Sequence, residues 1–161
     1  MSEPFQVGAV KGVIVRDLRK FVDSRGWLAE LFRHDDIDPE FHPVMTYISS
    51  TDPGVTRGPH EHVDQADFFC FIGPSNFKLR VWDNRRESET YNNVMTIVAG
   101  EDAPMSALIP AGAVHAYRNV GEVSGIVINC PNRLYMGEGK REPIDEIRHE
   151  DDPNTIFRID D

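Results

Sequence analysis

Three histidines in this sequence are spaced so that they could share one site. His60 and His62 stand two positions apart in the segment 57–62, and His115 follows in the segment 110–115. Both segments are predicted to be β-strands, and side chains two positions apart on a strand point to the same face. Three imidazoles that converge inside a small β-barrel form either a site for a metal ion or a pocket for general acid–base catalysis. The spacing alone leaves both chemistries open.

The elements that carry these histidines are predicted to be short strands. Gly, Pro, Asn and Asp recur at short intervals, and the runs between them are rich in Val, Ile, Phe, Tyr, Thr and Trp. We predict strands near 12–17, 27–33, 43–50, 67–72, 76–83, 94–98, 105–109, 114–119 and 124–130, and the strand 114–119 carries His115. A short helix is predicted around 35–41, and the polar stretch 140–152 is predicted to form a helical turn or an ordered tail. The pattern indicates an all-β barrel or sandwich in a single domain that spans residues 1–161.

The charge of the chain limits its partners. The 161 residues carry a formal net charge of −10, with 40% hydrophobic and 27% charged residues. This composition is typical of a globular domain with a core. The negative charge argues against nucleic acid as a sequence-independent partner, because phosphate backbones bind to basic surfaces. A small anionic ligand would have to be held by a local cluster of arginines.

No targeting or membrane segment is visible in the sequence. No apolar run approaches the roughly 20 residues that span a bilayer, and Met1–Pro4 lacks the basic and apolar regions of a secretory signal. We therefore expect a cytoplasmic protein that binds no membrane. Cys70 and Cys130 lie in apolar stretches without CxxC spacing, so we expect two buried free thiols.

Two segments resemble the paired motifs of cupin barrels. They read Gly58-x-His60-x-His62-x4-Asp67, with Asp where cupins usually carry Glu, and Pro110-x-Gly112-x2-His115-x3-Asn119. The resemblance implies a cupin-type jelly roll, which is a double-stranded β-helix barrel, here with a short C-terminal tail. In a metal-dependent cupin a divalent Fe, Mn, Ni, Co or Zn ion would be bound by His60, His62, Asp67 and His115. The alternative is that the His-x-His pair only lines the barrel.

A second resemblance is longer and covers about residues 8–157. The segment Asp23-Ser24-Arg25-Gly26-x3-Glu30-x-Phe32 is similar to the Asp-x-Arg-Gly-x3-Glu-x-Phe signature of the dTDP-4-dehydrorhamnose 3,5-epimerase family. Other segments also resemble that family: Arg57-Gly58-x-His60, Gln65-Ala66, Trp82–Arg85, Pro110-x-Gly112-x2-His115, Leu134-Tyr135 and Ile147–Pro153.

This second resemblance implies an enzyme that works without a metal cofactor. Members of the family are cupin-type jelly rolls, usually homodimers, and act on a nucleotide-linked 4-keto sugar by removing a proton next to the C4 carbonyl. Carried over by motif, His60 would be the base, and Arg25 and Arg57 would hold the diphosphate. Glu30 and Gln65 would line the pocket.

Four positions depart from the pattern of the family. The segment 126–129 lacks the catalytic Tyr, Asp67 stands where the family has a pocket Lys, and His62 stands where it has Gln. The Asp that orients the base in the family lies in a C-terminal extension, and no counterpart is found before Asp161. The resemblance therefore implies an epimerase scaffold with an altered pocket.

Other residues could replace the missing groups. Tyr117, two residues after His115, could supply the acid, and Tyr47 is a second candidate. Asp67 or Glu30 could orient His60. Three functions remain open: an epimerase or isomerase of a 4-keto-6-deoxy sugar with His60 as base, a metal-dependent cupin enzyme, and a non-catalytic sugar-binding cupin.

The remaining polar and aromatic residues are expected to have ordinary roles. We expect solvent-exposed imidazoles at His34, His42 and His149, surface charges at Arg85, Arg86 and Arg118, and packing aromatics at Trp27 and Trp82. Asn129 and Asn132 are expected to border the mouth of the pocket.

Overall fold

The computed structural model of the chain describes residues 4–159 and consists of short strands joined by turns. The strands are β1 (Gln6–Val7), β2 (Ile14–Asp17), β3 (Phe21–Asp23), β4 (Gly26–Leu28), β5 (Tyr47–Thr51), β6 (Thr56–His62), β7 (Asp67–Phe71), β8 (Asn76–Asp83), β9 (Asn93–Gly100), β10 (Met105–Ile109), β11 (Ala113–Asn119), β12 (Gly125–Asn129) and β13 (Glu146–Arg148). Single 3₁₀ turns lie at His34–Asp36, Pro39–Phe41, Glu138–Lys140 and His149–Asp151. None of the helices within residues 4–159 has the length and apolar character needed to cross a bilayer.

Two sheets face each other and form a jelly roll. The six-stranded sheet has the order β1-β9-β8-β11-β6-β13, and the five-stranded sheet has the order β2-β10-β7-β12-β5. All pairs in these two sheets are antiparallel except β1 with β9. Strands β3 and β4 form a separate two-stranded hairpin. The predicted all-β jelly roll is confirmed.

The core lies between the two sheets and is rich in aromatic side chains. Phe69 and Phe71 of the five-stranded sheet contact Tyr117 of the six-stranded sheet, with ring centroids 5.5 and 5.8 Å apart. Phe77 and Leu79 of β8 complete this cluster and are at most 1% exposed. Burying each such side chain contributes roughly 1.5–3 kcal/mol. This packing fixes the strands that carry the histidines.

The outer faces of both sheets are also covered, so β7 and much of β8 are buried on both sides. On the six-stranded sheet Phe157 and Ile159, near the end of the described chain, pack against Trp82. On the five-stranded sheet Leu18 packs with Phe68. Trp82 is 1% exposed, which agrees with its predicted packing role. Cys70 and Cys130 are buried and free, as expected.

The N-terminal third differs from its prediction. In place of the predicted strand 27–33, the structure has a strand only at Gly26–Leu28, within the β3–β4 hairpin. Trp27 on this hairpin is 52% exposed, so its prediction as a packing residue was wrong. The predicted helix around 35–41 is split into two 3₁₀ turns, and Asp38, between them, caps the second by accepting a hydrogen bond from the Glu40 backbone N–H.

The polar stretch 140–152 contains a strand that its composition did not indicate. Here β13 pairs antiparallel with β6, and Glu146 lies opposite His62. His149 follows in a 3₁₀ turn, and its Nε2 lies 2.9 Å from Glu61 Oε1. The prediction that His149 is exposed was therefore wrong, because the tail folds back onto the outer face of β6. A C-terminal polar segment thus becomes the edge of the sheet that carries the site.

Three side chains that were predicted to be exposed at the surface are partly buried. Arg85 donates two hydrogen bonds to the buried carboxylate of Asp83, from Nε at 2.8 Å and Nη2 at 3.0 Å. It is therefore a structural residue rather than a free surface charge. Arg118 is half-buried. His42 is half-buried, and its Nε2 lies 3.0 Å from the carbonyl oxygen of His34, whereas the His34 side chain is exposed as expected.

Candidate active site

The three histidines meet where β6 pairs with β11. His60 and His115 are cross-strand neighbours, and their ring centroids lie 4.6 Å apart. His62, on the same face of β6, has its ring 5.6 Å from that of His60 and 6.1 Å from that of His115. The predicted convergence of the imidazoles is confirmed.

A glycine permits this close approach. The register of β6 against β11 shifts between His115 and Tyr117, so β6 has one additional residue at this point. Gly58 lies in this irregularity with φ +84°, and a Cβ there would be 2.6 Å from the carbonyl oxygen of His115. Only glycine combines that backbone conformation with that spacing.

Asp67 forms the floor of the site. Its side chain is 1% exposed, and its Oδ1 accepts hydrogen bonds of 2.8 Å from Gln65 Nε2 and from Asn129 Nδ2. Its Oδ2 lies 3.2 Å from His62 Nε2 and 3.1 Å from His115 Nε2. Burial alone would raise the pKa of Asp67, but the two neighbouring imidazoles hold that pKa well below its usual range. The carboxyl group is therefore ionised.

The other nitrogen of each of these two imidazoles faces a backbone carbonyl group. His115 Nδ1 lies 3.0 Å from the oxygen of Ala113, and His62 Nδ1 lies 3.2 Å from the oxygen of Asp145. Because a carbonyl oxygen only accepts, both Nδ1 atoms carry the proton. Burial opposes protonation of His62, but the Asp67 carboxylate outweighs it, and the pKa of His62 is raised.

His60 occupies a different environment from the other two histidines. Its Nδ1 makes no hydrogen bond and lies 3.5 Å from Oε1 of Glu146 on β13. Burial, followed by the influence of His115, lowers the pKa of His60 to about 2, so its imidazole is neutral. Sequence analysis did not identify Glu146, because the strand that positions it lies in a stretch with no strand-like pattern. Only the pairing of β13 with β6 shows that the carboxylate of Glu146 lies beside His60.

An open cleft of about 1690 Å³ connects His60 and His62 to solvent, whereas Asp67 and His115 are buried and do not line it. His60, His62, Gln65 and Arg57 line it, and the segment 131–150 forms one of its walls. Arg57 is exposed at the cleft and donates hydrogen bonds to Thr51 Oγ1 at 2.9 Å and to the carbonyl oxygen of Ser50 at 2.8 Å. The cleft can therefore admit a ligand of considerable size with a guanidinium group beside it.

Three tyrosines also line the cleft, and two of them, Tyr117 and Tyr47, were singled out from the sequence; the third is Tyr135. The hydroxyl of Tyr117 lies 3.0 Å from Ser49 Oγ, and the hydroxyl of Tyr47 accepts a 2.8 Å hydrogen bond from Asn129 Nδ2. Burial raises the pKa of both phenols, so both are protonated and can donate a proton. Asn129 is buried beneath Tyr47 rather than at the mouth of the pocket, where Asn132 lies as expected.

Two predicted site residues lie away from this cleft within one chain. Arg25 is on the β3–β4 hairpin, with a side chain that is 87% exposed and paired with Asp23. Glu30 lines a separate, smaller depression and lies 3.9 Å from Arg33. One chain therefore brings together His60, His62, Gln65, Asp67, His115, Arg57, Tyr117 and Tyr47, but not Arg25 or Glu30.

Comparison with known proteins assigns the chain to a family. A sequence model of dTDP-4-dehydrorhamnose 3,5-epimerase matches residues 8–153. The chain belongs to this epimerase family. The probable low-salt glycan biosynthesis epimerase Agl13 of Haloferax volcanii is 36% identical over 135 residues, which are 83% of this chain and 85% of that protein. The spore coat polysaccharide biosynthesis protein SpsL of Bacillus subtilis is 34% identical over 152 residues, or 92% and 99% of the two chains.

A solved structure agrees with the fold. The dTDP-6-deoxy-D-glucose-3,5-epimerase of Legionella pneumophila, in complex with dTDP-4-keto-L-rhamnose, has a TM-score of 0.72 at 17% identity, covering 88% of this chain and 74% of that chain. The family expected from the sequence motifs is confirmed by the family model, and the curated relatives support an epimerase-type enzyme.

Proposed function

We propose that the protein epimerises or isomerises a nucleotide-linked 4-keto-6-deoxy sugar, with His60 as the general base. The observation that carries this proposal is the position of His60. It is the imidazole of the cluster that lines the cleft with an unpartnered nitrogen and a carboxylate beside it. The family and the ligand of the Legionella enzyme favour a dTDP-sugar as the substrate class.

The proposed chemistry is proton removal next to a ketone. The C–H bond at C3 or C5 breaks, its electron pair moves into the C4 carbonyl group, and the proton is transferred to a nitrogen of His60. Glu146 Oε1, at 3.5 Å, can then accept a hydrogen bond from the protonated Nδ1. A carboxylate in this position holds the ring and stabilises the imidazolium that forms. Glu146 is thus proposed as a positioning residue, in the role for which the sequence suggested Asp67 or Glu30.

Epimerisation also requires an acid that returns the proton to the other face of the sugar. We assign this role to Tyr117, whose protonated phenol lines the same cleft two residues along β11 from His115. Tyr47 lies on the five-stranded sheet and is the second candidate. Comparison of Tyr117→Phe with Tyr47→Phe distinguishes the two, because loss of the acid slows reprotonation and leaves removal of the proton by His60 intact.

A second copy of the chain would bring in the residues that one chain leaves outside the cleft. Val22, Trp27 and Leu28 on the hairpin are 78%, 52% and 65% exposed, an apolar surface that a partner would cover. In a homodimer that buries this hairpin, Arg25 could join Arg57 at the diphosphate. The hairpin therefore supports the homodimer expected from the family.

Solvent isotope exchange tests the proposal. The protein is incubated with a dTDP-linked 4-keto-6-deoxy sugar in D₂O, and deuterium at C3 and C5 is followed by NMR. We expect exchange, and we expect His60→Asn to slow it by about 100-fold or more while nucleotide binding persists. The matched control is His34→Asn, an exposed histidine outside the cleft, which should exchange at the wild-type rate. Binding without exchange by the wild-type protein would refute the enzyme and indicate a sugar-binding protein.

A further inference from the structure

We propose that His62, Asp67 and His115 bind a divalent transition-metal ion at the floor of the cleft, next to His60. The ion belongs to the class that combines imidazole and carboxylate ligands, which includes Zn²⁺, Co²⁺, Ni²⁺, Fe²⁺ and Mn²⁺. The proposed base chemistry does not require this ion, so the site goes beyond the proposed function.

The tautomers of two imidazoles provide the first support. His62 and His115 both use Nδ1–H to reach a backbone carbonyl oxygen, as described above, so Nε2 is the nitrogen of each ring that can bind a cation, which would displace any proton held there. Histidines that bind metals usually donate their second ring nitrogen to a carbonyl or carboxylate group in this way.

The second support is that these two Nε2 atoms converge on an anionic oxygen that has no hydrogen-bond donor. Both Nε2 atoms lie 3.1 to 3.2 Å from Asp67 Oδ2. Nevertheless, Oδ2 of Asp67 and Nε2 of His115 are buried without a hydrogen-bond partner, because their geometry is not that of a direct N–H···O bond. Their side chains are 1% and 2% exposed. Buried polar atoms without partners are rare in proteins, and a bound ion is one of the groups that satisfy them.

The spacing of these atoms fits a shared metal ion. Ligand atoms bound at about 2.1 Å lie about 3.0 Å apart in an octahedron and about 3.4 Å apart in a tetrahedron. The two nitrogen–oxygen distances of 3.1 and 3.2 Å fall within this interval. The hydrogen bonds from Gln65 and Asn129 to Oδ1 already fix the carboxylate in position. The three ligands are therefore preorganised.

His60 is assigned to the cleft rather than to the ion. Ligand atoms of all four side chains lie within 4.8 Å of one another, so His60 is the nearest candidate for a fourth ligand. Its Nδ1, however, faces Glu146, and its ring is tilted by 74° to both other imidazoles. A three-residue set leaves coordination positions for an oxygen of a small ligand, where a cation stabilises negative charge on a carbonyl oxygen.

Metal titration of the chelator-treated protein tests the site. We expect isothermal titration with Zn²⁺ to show one ion per chain with a dissociation constant below about 1 µM, and Co²⁺ to give the visible absorption of a nitrogen- and oxygen-ligated ion. His62→Ala and Asp67→Asn should each weaken binding by about 100-fold or more, with folding checked by circular dichroism. His60→Ala should bind within a few-fold of wild type. The control His34→Asn/His42→Asn removes the stacked imidazole pair near the protein surface and should leave the site unchanged.

Each contrary outcome is decisive. If the folded wild-type protein binds neither ion, the missing positive group is a proton on His62 or His115, and the metal site is refuted. If His62→Ala binds as tightly as wild type, the ion lies elsewhere. Because His62→Ala replaces a half-buried side chain, it keeps the test valid even if Asp67→Asn does not fold. If His60→Ala abolishes binding, the three-residue assignment fails. Deuterium exchange by the chelated protein is measured separately, so loss of the metal site and loss of the epimerase function are distinguished.

Discussion

Replacing Asp83 by Asn should destabilise the protein in a manner that depends on pH. Asp83 ends β8, opposite Ala113 at the start of β11, the strand that carries His115. Its buried carboxylate accepts hydrogen bonds from Arg85 Nε at 2.8 Å and from Ser88 Oγ at 2.6 Å. The Asp83 carboxylate joins the end of β8 to the turn that follows it, and β8 pairs with β11. Its removal should therefore lower the stability of the six-stranded sheet.

The magnitude follows from the shift in pKa. Burial by itself raises the pKa of Asp83, but the hydrogen bonds from Arg85, Ser88 and Thr90 outweigh it and lower this pKa from 3.8 to about 2. A shift of this size corresponds to roughly 2 kcal/mol of stability, since one pKa unit is about 1.4 kcal/mol. Because the folded-state pKa is depressed, this stabilisation is complete well above pH 4 and is lost as the pH falls toward 2. At pH 3 roughly half of it should remain.

Urea unfolding of the wild-type protein and of Asp83→Asn, at pH values from 7 down to 3, measures this effect. At pH 7 the variant should be less stable by roughly 2 kcal/mol or more, and the difference should shrink by roughly 1 kcal/mol at pH 3. The control Asp36→Asn breaks an exposed ion pair with Arg16 at 2.7 Å and should cost less than about 1 kcal/mol. A stability difference between wild type and Asp83→Asn that does not change with pH would refute the reasoning.

Three further changes test the site and its surroundings. Gly58→Ala should destabilise the protein by about 2 kcal/mol or more, because alanine is strained at φ +84° and its Cβ meets the His115 carbonyl oxygen; unchanged urea unfolding would contradict the close approach of the strands. Glu146→Gln should lower kcat by about 10-fold or more with little change in KM, because an amide cannot stabilise an imidazolium at His60, and Glu146→Asp should restore part of the rate; an effect on KM alone would exclude the positioning role. Trp27→Glu should shift a dimer toward monomers in sedimentation velocity, because it places a charge on the exposed apolar hairpin; a wild-type protein that is already monomeric would refute the dimer.

The sequence predicted the central part of the fold because its signals there are local. Short runs of apolar and β-branched residues bounded by turn residues, with alternation in β8, locate β7 to β12 to within one or two residues. The spacing of His60 and His62 places both rings on one face without any knowledge of the sheet order. The match of His115 to a second motif then supplies the long-range contact that local patterns lack.

The parts that were not predictable depend on contacts between distant segments. Strand β13 is only three residues long and polar, and it is extended because it pairs with β6, which lies more than eighty positions earlier in the chain. Glu146 therefore could not be placed beside His60 from the sequence. The position of Trp27 was misjudged for a related reason, because an aromatic residue on a short hairpin packs only where a second surface covers it. The positions of Glu146 and Trp27 both depend on which distant segment or surface contacts them, and residue types alone do not reveal that contact.

The proposed base and the proposed metal site use different members of the histidine cluster, and these members lie in different environments. His115 and Asp67 are 2% and 1% exposed and are held from behind by a backbone carbonyl group and by side-chain amides, so they can move little. His60 is 15% exposed and faces the cleft with a carboxylate beside it. A rigid, convergent set of ligand atoms suits a bound cation, whereas a partly exposed imidazole suits transient transfer of a proton. If both proposals hold, a ketone oxygen at the cation and an α-proton at His60 would be reached by one substrate in the same cleft. The His62→Ala variant would then lose metal binding and part of the exchange rate together, while His60→Asn would lose exchange alone.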